Sequence, residues 1–384
     1  MGHVFRTEEQ QMAVDGLRRY LDAELEPALK KHGERFIPRQ TMAGFMRELV
    51  KYGLICAPAA EANGGMGLDW FTHLMLFEEL VYSSADVASP VIINTVAADL
   101  LAKLAPEHLK RRYLPGLLQG ELFACAGISE PDVGSNVAEV KTRARRDGDH
   151  YVVSGEKVWI TNGEYSDFMI CTCRTSDDPK RGLTHILLDR REQPYEVRGI
   201  DKIALNGQST TQIFIDNVRV PVANVIGGEG DALRNTLTLF ERARLHVGTQ
   251  SLGIARRALD ESVRYSRERR QHGKPIAGHQ LIAAKLADMA TQIDAARLLI
   301  HRAAHMLDAG MRADMECAMA KLYATEVAVG ICRQAVQIHG GNGVTKEFPV
   351  ERLAREAILN PIPDGTSEIQ QLIIGRALTG ISAF

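Results

Sequence analysis

The chain has 384 residues, 45% of them hydrophobic and 24% charged, with a formal net charge of −2. That length holds two or three domains with substantial cores, and the composition is that of an ordinary globular protein. The near-neutral balance leaves no basic excess for nucleic acid and no acidic tail. Cys56, Cys125, Cys171, Cys173, Cys317 and Cys332 are spaced irregularly, with no CxxC pair. Free, mostly buried thiols in a reducing compartment are expected. Cys171 and Cys173 share one face of a strand-like run, where packing outweighs a metal site. The N-terminal run MGHVFRTEEQQ lacks both the apolar core of a signal peptide and the Arg/Ser bias of a transit peptide. No stretch reads as long and apolar enough to cross a membrane. A cytoplasmic protein is expected.

The first part reads as helical. Thr7 is placed to cap a helix with Glu9 and Gln10 in its first turn, and Leu17, Tyr20, Leu21 and Leu25 recur at helical spacing. Phe45, Leu49 and Tyr52 repeat the pattern up to Gly53. The run NGGMG at 63–67 is a glycine-rich connection, and Leu74, Phe77, Glu78 and Leu80 begin another helix. Pro106 opens a further one, with Leu109, Tyr113, Leu117 and Leu118 on one face. After Glu121 short β-rich runs take over: HYVVSGEKVWIT, DFMICTCR, THILLD and TQIFIDNVRVP, with DGDH at 147–150 as a turn signal. Helical periodicity returns from Asp231. A stripe drawn from Leu281, Met289, Ile293, Ala296 and Ile300 marks one long helix, and Glu316 to Gln337 another, stopped by GGNG at 340–343. A last helix follows Asp364-Gly365-Thr366. The order is helices over 1–120, a β domain over 121–226, and a helical bundle over 227–384.

Taken singly, the motifs have plain structural explanations. ISEPDVGSN at 128–136 reads as an ordered loop with free hydroxyls. Trp159 in VWITNG is as compatible with a core as with a ligand face. RERRQHG at 267–273 reads as a solvated basic face, and QIHGGNG at 337–343 as a glycine helix stop. In PDGTSEIQQ, Thr366 caps a helix and Asp364 is a carboxylate on a turn.

Taken together, in this order, these runs resemble the acyl-CoA dehydrogenase family along essentially the whole chain. The matching segments include EEL at 78–80, SEPDVGSN, GEKVWITNG, VRVP at 218–221, ALDESVRYSRERRQHGKPI at 258–276, HQLIAAKLADM at 279–289, QIHGGNG and DGTSEIQQLIIGRA at 364–377. The resemblance implies an N-terminal helical domain, a middle β domain, a C-terminal four-helix bundle, bound FAD and a homotetramer. By position, FAD would be held by residues 126–135, chiefly Ile128, Ser129 and Ser135, by Trp159, Ile160 and Thr161, and by Thr366 and Glu368. Its dinucleotide end would meet Arg269, Gln271, His279, Gln280, Gln337, Gly340 and Gly341 of a neighbouring subunit. Ser135, Glu241, Arg244, Gly365 and Arg376 match positions that contact the CoA thioester. The implied reaction is α,β-dehydrogenation of an acyl-CoA, with an electron-transferring flavoprotein as acceptor. A carboxylate base removes the α-proton, and aimed donors stabilise the developing enolate oxygen.

Most members carry Tyr-Glu-Gly-Thr at the base position, whereas this chain has Pro363-Asp364-Gly365-Thr366. The alternative family position for a base is Ala243, which cannot act, so Asp364 is the candidate. Aspartate reaches about 1.5 Å less far than glutamate. The resemblance links aspartate to alicyclic or branched acyl groups and to the nitroalkane-oxidising branch. An oxidase of the same fold, using oxygen, is therefore the second reading. His272 replaces a common aromatic, and NGQSTT at 206–211 lacks a frequent arginine; the sequence gives no physical account of the latter.

Overall fold

The computed structural model describes residues 6–383. In chain order its helices begin with α1 (Glu8–Tyr20), a wider π-type turn (Leu21–Leu25), α2 (Glu26–His32), α3 (Arg39–Val50), α4 (Trp70–Ser83), α5 (Ala85–Leu104) and α6 (Glu107–Leu118). Strands follow: β1 (Ala124–Gly127), β2 (Arg143–Asp147), β3 (His150–Thr161), β4 (Phe168–Arg174), β5 (Leu183–Asp189), β6 (Glu196–Gly199), β7 (Thr210–Pro221) and β8 (Val225–Ile226). The chain then returns to helix in α7 (Ala232–Glu268), a short hairpin of β9 (Arg270–Gln271) and β10 (Lys274–Pro275), α8 (Gln280–Asp308), α9 (Asp314–His339), α10 (Val350–Leu359) and α11 (Ser367–Thr379). Helix, strand, helix is the expected order. The expected capping box is present: Gln10 N–H donates to Thr7 Oγ1 at 3.2 Å, and Thr7 N–H to Gln10 Oε1 at 3.0 Å. Two compact units divide the chain, one of Met1–Glu26, Trp70–Ala85 and Glu241–Phe384, the other of Pro27–Asp69 and Asp86–Phe240.

In the second unit, eight strands form one sheet in the order β6-β7-β3-β2-β4-β5-β8, with β1 added parallel to β4. Strand β4 shows why it forms. Phe168 and Ile170 point to one face and pack with Leu101, Tyr113 and Leu117 of α5 and α6. Met169, Cys171 and Cys173 point to the other and pack with Val153, Ile186 and Ile213. The two cysteines therefore share a face, as read from the sequence, and all six cysteines are free and buried.

The membrane expectation needs correcting. Helix α5 is long and apolar enough to cross a bilayer by length and composition, and 67% of that stretch is buried within the fold. Ala97, Ala98, Leu100 and Leu101 are spent on the core with α6 and the sheet. A helix buried on most sides carries a membrane-like composition for that reason.

In the first unit, α4 is the central helix, with every residue from Trp70 to Val81 buried. Gly253 on α7 permits its close approach: a Cβ there would lie 2.7 Å from Val81 Cβ and 3.1 Å from the Glu78 carbonyl. Two carboxylates on α4 meet a set of guanidinium groups. Arg256 donates to Glu78 at 2.7 Å and to Glu79 at 2.6 Å, Arg297 to Glu78 at 3.0 Å, and Arg18 to Glu79 at 2.9 Å. Burial opposes ionisation of both acids, but the arginines outweigh it and hold both below the usual carboxylate range. Met289, Ile293, Ala296 and Ile300 of the α8 stripe are buried. Leu281, expected among them, is 79% exposed.

Two buried histidines link this fold to pH. In the first unit His246 Nδ1 lies 3.0 Å from the Arg242 carbonyl, so it carries the proton; its Nε2 then accepts from His73 Nε2 at 2.8 Å. Burial lowers His246 to about 4. In the second unit His185 sits 3.2 Å from both Thr172 and Thr236 hydroxyls, and burial lowers it to about 4 as well. A histidine lowered in the fold leaves the unfolded chain to take the proton first. Stability is therefore lost as the pH falls from about 6.5 towards about 4, by on the order of 3 kcal/mol for His185. Thermal melts across that range should show the loss, and His185→Asn should flatten the slope. An unaltered slope in that variant would remove His185 from the account.

Candidate functional site

The β unit brings two of the sequence-predicted segments together. Val158 N–H donates to the Ser129 carbonyl at 3.0 Å, joining the Ile128–Ser129 loop to the strand that carries Trp159, Ile160 and Thr161. The register of β3 against β7 shifts between Lys157 and Ile160. Trp159 sits at that bulge with a φ of +62° and its side chain 62% exposed. A left-handed bulky residue inside a strand is strained, and such strain collects at working sites. The core explanation for this tryptophan is thereby excluded. Ile160 is buried, Thr161 half-buried and Ser135 exposed.

Beneath the loop lies a buried ion pair that the sequence did not reveal. Lys157 is fully buried, and its Nζ donates to Glu130 Oε1 at 2.8 Å, Thr172 O at 2.8 Å and Ile128 O at 3.1 Å. Glu130 also accepts from Lys141 N–H, Thr142 N–H and the Thr142 hydroxyl, at 2.7, 2.8 and 2.6 Å. Burial pushes the Glu130 carboxyl up, and Lys157 with these donors more than reverses it. Every oxygen and proton of the pair has a partner, which is the condition for burying charge.

In the helical unit the turn before α11 holds Asp364 and Gly365 in left-handed backbone, with φ of +54° and +96°. A Cβ on Gly365 would lie 2.7 Å from Gln370 Nε2, so the turn requires glycine there. Thr366 caps α11, accepting from Ile369 N–H at 3.4 Å. Gln370, fully buried, donates back to the Gly365 carbonyl at 2.8 Å and the Asp364 carbonyl at 3.2 Å. Burial raises the Asp364 carboxyl, while Lys321 on α9 and Arg244 on α7 act to lower it. Arg244 is buried; Lys321, absent from the sequence reading, is wholly so. Glu241, half-buried one turn before Arg244, is raised to about 7 by burial and by a hydrogen bond with Asp314 of α9, which that bond lowers in turn. Glu368 is exposed in the first turn of α11, and Arg376 lies exposed in its last.

The remaining predicted residues gather at one end of α7 and α9. Arg269 closes α7 by donating its N–H to Tyr265 O at 2.8 Å. Gln271 lies on the hairpin, and His279 Nε2 approaches its carbonyl at 3.2 Å just before Gln280 begins α8. Gly340 caps α9 through its N–H to Gln337 O. Tyr265 joins the two groups. Its ring stacks on His339 at 4.2 Å, its hydroxyl donates to the His339 carbonyl at 3.2 Å, and Asn342 donates to that hydroxyl at 3.0 Å. Arg269, Gln271, Gln280, Gln337, Gly340 and Gly341 are exposed here.

Comparison with known proteins shows the family. The N-terminal, middle and C-terminal domain models of acyl-CoA dehydrogenase match residues 7–121, 125–218 and 230–379. The chain is 35% identical over 380 residues to an acyl-CoA dehydrogenase of Bacillus subtilis, covering 97% of this chain and 99% of that one. It is 37% identical over 302 residues to a cyclohexane-1-carbonyl-CoA dehydrogenase of Geobacter metallireducens, covering 78% and 80%. Among solved structures, a glutaryl-CoA dehydrogenase from Mycobacterium smegmatis in complex with FADH2 superposes with a TM-score of 0.92 at 27% identity, covering 99% and 96%. The chain therefore belongs to the acyl-CoA dehydrogenase family and is an FAD-dependent oxidoreductase.

Proposed function

We propose that the chain dehydrogenates an acyl-CoA thioester between Cα and Cβ, with Asp364 taking the α-proton. The observation that carries this reading is the placement of Asp364. Its carboxyl stands on a turn fixed by Gln370 and Lys321, where burial raises its proton affinity and Lys321 and Arg244 pull the other way. A base must be both available and strong, and these opposing influences serve the two needs.

The residues present fit FAD. Trp159 offers a wide aromatic face, held out from the sheet by strained backbone, and Ser129 and Thr161 add hydroxyls beside it. From the resemblance we assign the flavin to Ile128, Ser129, Ser135, Trp159, Ile160, Thr161, Thr366 and Glu368. The set of Arg269, Gln271, His279, Gln280, Gln337, Gly340 and Gly341, exposed but for the half-buried His279, would take the dinucleotide of a neighbouring subunit, Arg269 supplying a charge-assisted contact to diphosphate. When bound, FAD accepts the hydride from Cβ. Ser135, Glu241, Arg244, Gly365 and Arg376 would hold the CoA thioester. The working form is proposed to be a cytoplasmic homotetramer, divided into domains at 1–120, 121–226 and 227–384. Its proposed acceptor is an electron-transferring flavoprotein. In support, a relative 32% identical over 375 residues bears the name of a subunit of a caffeyl-CoA reductase–Etf complex of Acetobacterium woodii.

An alicyclic or branched acyl group is the preferred substrate class. Asp364, shorter than glutamate, and the Geobacter relative's name both support it. Anaerobic titration with straight-chain, α-branched and alicyclic acyl-CoAs, following loss of oxidised flavin absorbance, tests the reading. Bleaching by the alicyclic or branched class is expected, and Asp364→Glu should move the preference towards straight chains. An unchanged preference rejects the substrate class. No bleaching by any thioester, with bleaching by nitroalkanes, rejects the reaction.

A further inference from the structure

We propose that Lys321 is a positioning residue for the base: it fastens both ends of the turn that carries Asp364 and sets an ammonium group beneath that turn. This rests on the reading of Asp364 as the base. Lys321 Nζ donates to Pro361 O at 2.6 Å and to Gly365 O at 2.9 Å, so one ammonium group spans the turn from three residues before Asp364 to one after it. Lysine is almost never fully buried unless its charge is used, and here the residue is 0% exposed. Helix α7 closes over it at Gly248, where a Cβ would stand 3.5 Å from Lys321 Cα.

A neutral donor would satisfy both carbonyls equally well. The ammonium adds charge, and the charged groups around it say where that charge acts. Asp364 is faced by Lys321 from α9 and by Arg244 from α7. Lys321 in turn is faced by Asp364, by Glu326 on its own helix, by Arg244 on α7 and by Glu368 on α11. Arg244 also faces Cys317 and Asp314 on α9 and Glu241 on its own helix. Burial lowers Lys321 to about 8, against the pull of Asp364, so the cation persists at neutral pH. Removing it leaves Asp364 with Arg244 alone to oppose burial, and the carboxyl holds its proton to higher pH.

The test is the pH profile of anaerobic flavin reduction by an acyl-CoA that bleaches the wild-type holoenzyme, with flavin content and melting recorded for each variant. In Lys321→Gln, which keeps a donor and loses the charge, the acid limb should move up by about one pH unit. In Lys321→Arg, which keeps the charge, the limb should stay with the wild type even if the rate falls. Lys321→Met serves in place of the glutamine variant if that does not fold. An acid limb left in place by loss of the charge overturns the proposal, whatever the rate does. So does a limb displaced equally in Lys321→Arg. Asp364→Asn, run alongside, separates the two readings. If it bleaches like the wild type, the base assignment fails and takes Lys321 with it. If it is inert and the limb of Lys321→Gln is unmoved, only the role of Lys321 fails.

Discussion

Adding the thioester that bleaches the wild-type flavin should leave the Asp364→Asn protein yellow. Losing a positioned general base typically costs 10² to 10⁴-fold, about 3 to 5 kcal/mol of barrier. The variant isolates the chemistry because the turn does not depend on the side chain. Gln370 and Lys321 bind the carbonyls of residues 364, 365 and 361. Asparagine also tolerates the left-handed φ of +54° at this position. Alanine would add backbone strain and confuse the outcome. Unchanged flavin content and melting, with bleaching lost, is the expected pattern. Bleaching within tenfold of the wild-type rate would show that another group takes the proton.

The second large effect is structural. Lys157→Met should lower stability by about 3 to 5 kcal/mol, because Glu130 would be left as a buried anion without its counter-charge. For a unit of this size that is a fall in Tm on the order of 10 °C. The loss should extend to flavin retention, since Lys157 also holds the Ile128 carbonyl and the neighbouring residues are assigned to the flavin. Adding Glu130→Gln removes the stranded charge and should recover part of the stability, which a double-mutant cycle measures directly. A Tm within a degree of the wild type would mean that Glu130 is relieved by other means, such as protonation. Flavin retained at full strength despite a lowered Tm would separate the loop from the pair.

Much of this is legible in the sequence. Strands such as HYVVSGEKVWIT and DFMICTCR announced themselves by β-branched and alternating residues, and they form β3 and β4. Helix α5 did not. Its opening Ala85-Asp86 and Ser89-Pro90 resemble a turn, and its burial on many sides leaves no 3.6-residue stripe. Strand β2, Arg143–Asp147, was hidden by its charges, since only Ala144 is buried. Helix α10 lies outside the helices expected from periodicity, although its Glu351–Arg355 pair, hydrogen-bonded at 2.8 Å, is a readable signal. In the site, Asp364 was found because its whole segment matched a pattern. Lys321 was not, because its partners lie 40 and 44 residues further along the chain and nothing local marks it. Lys157 carries no local mark of burial, and the bulge that follows it, invisible to periodicity, turns Trp159 outward.

The interleaving of the first unit has a consequence for synthesis. Its central helix, α4, leaves the ribosome after Arg18 but long before Arg256 and Arg297: Glu78 and Arg297 are 219 residues apart. At about 5 to 20 residues per second, that is a wait of roughly 10 to 45 s. Throughout it, Phe71, Leu74 and Phe77 have no finished interior to enter, and Glu78 lacks the arginine of α8. Most of the other unit, from residues 27–69 and 86–240, is complete by then. A nascent chain stalled before Arg256 is thus half assembled, with an apolar helix whose Glu78 has neither of its arginines. Such a chain is a natural client for chaperones, and its lifetime is governed by translation speed more than by the stability of the finished protein.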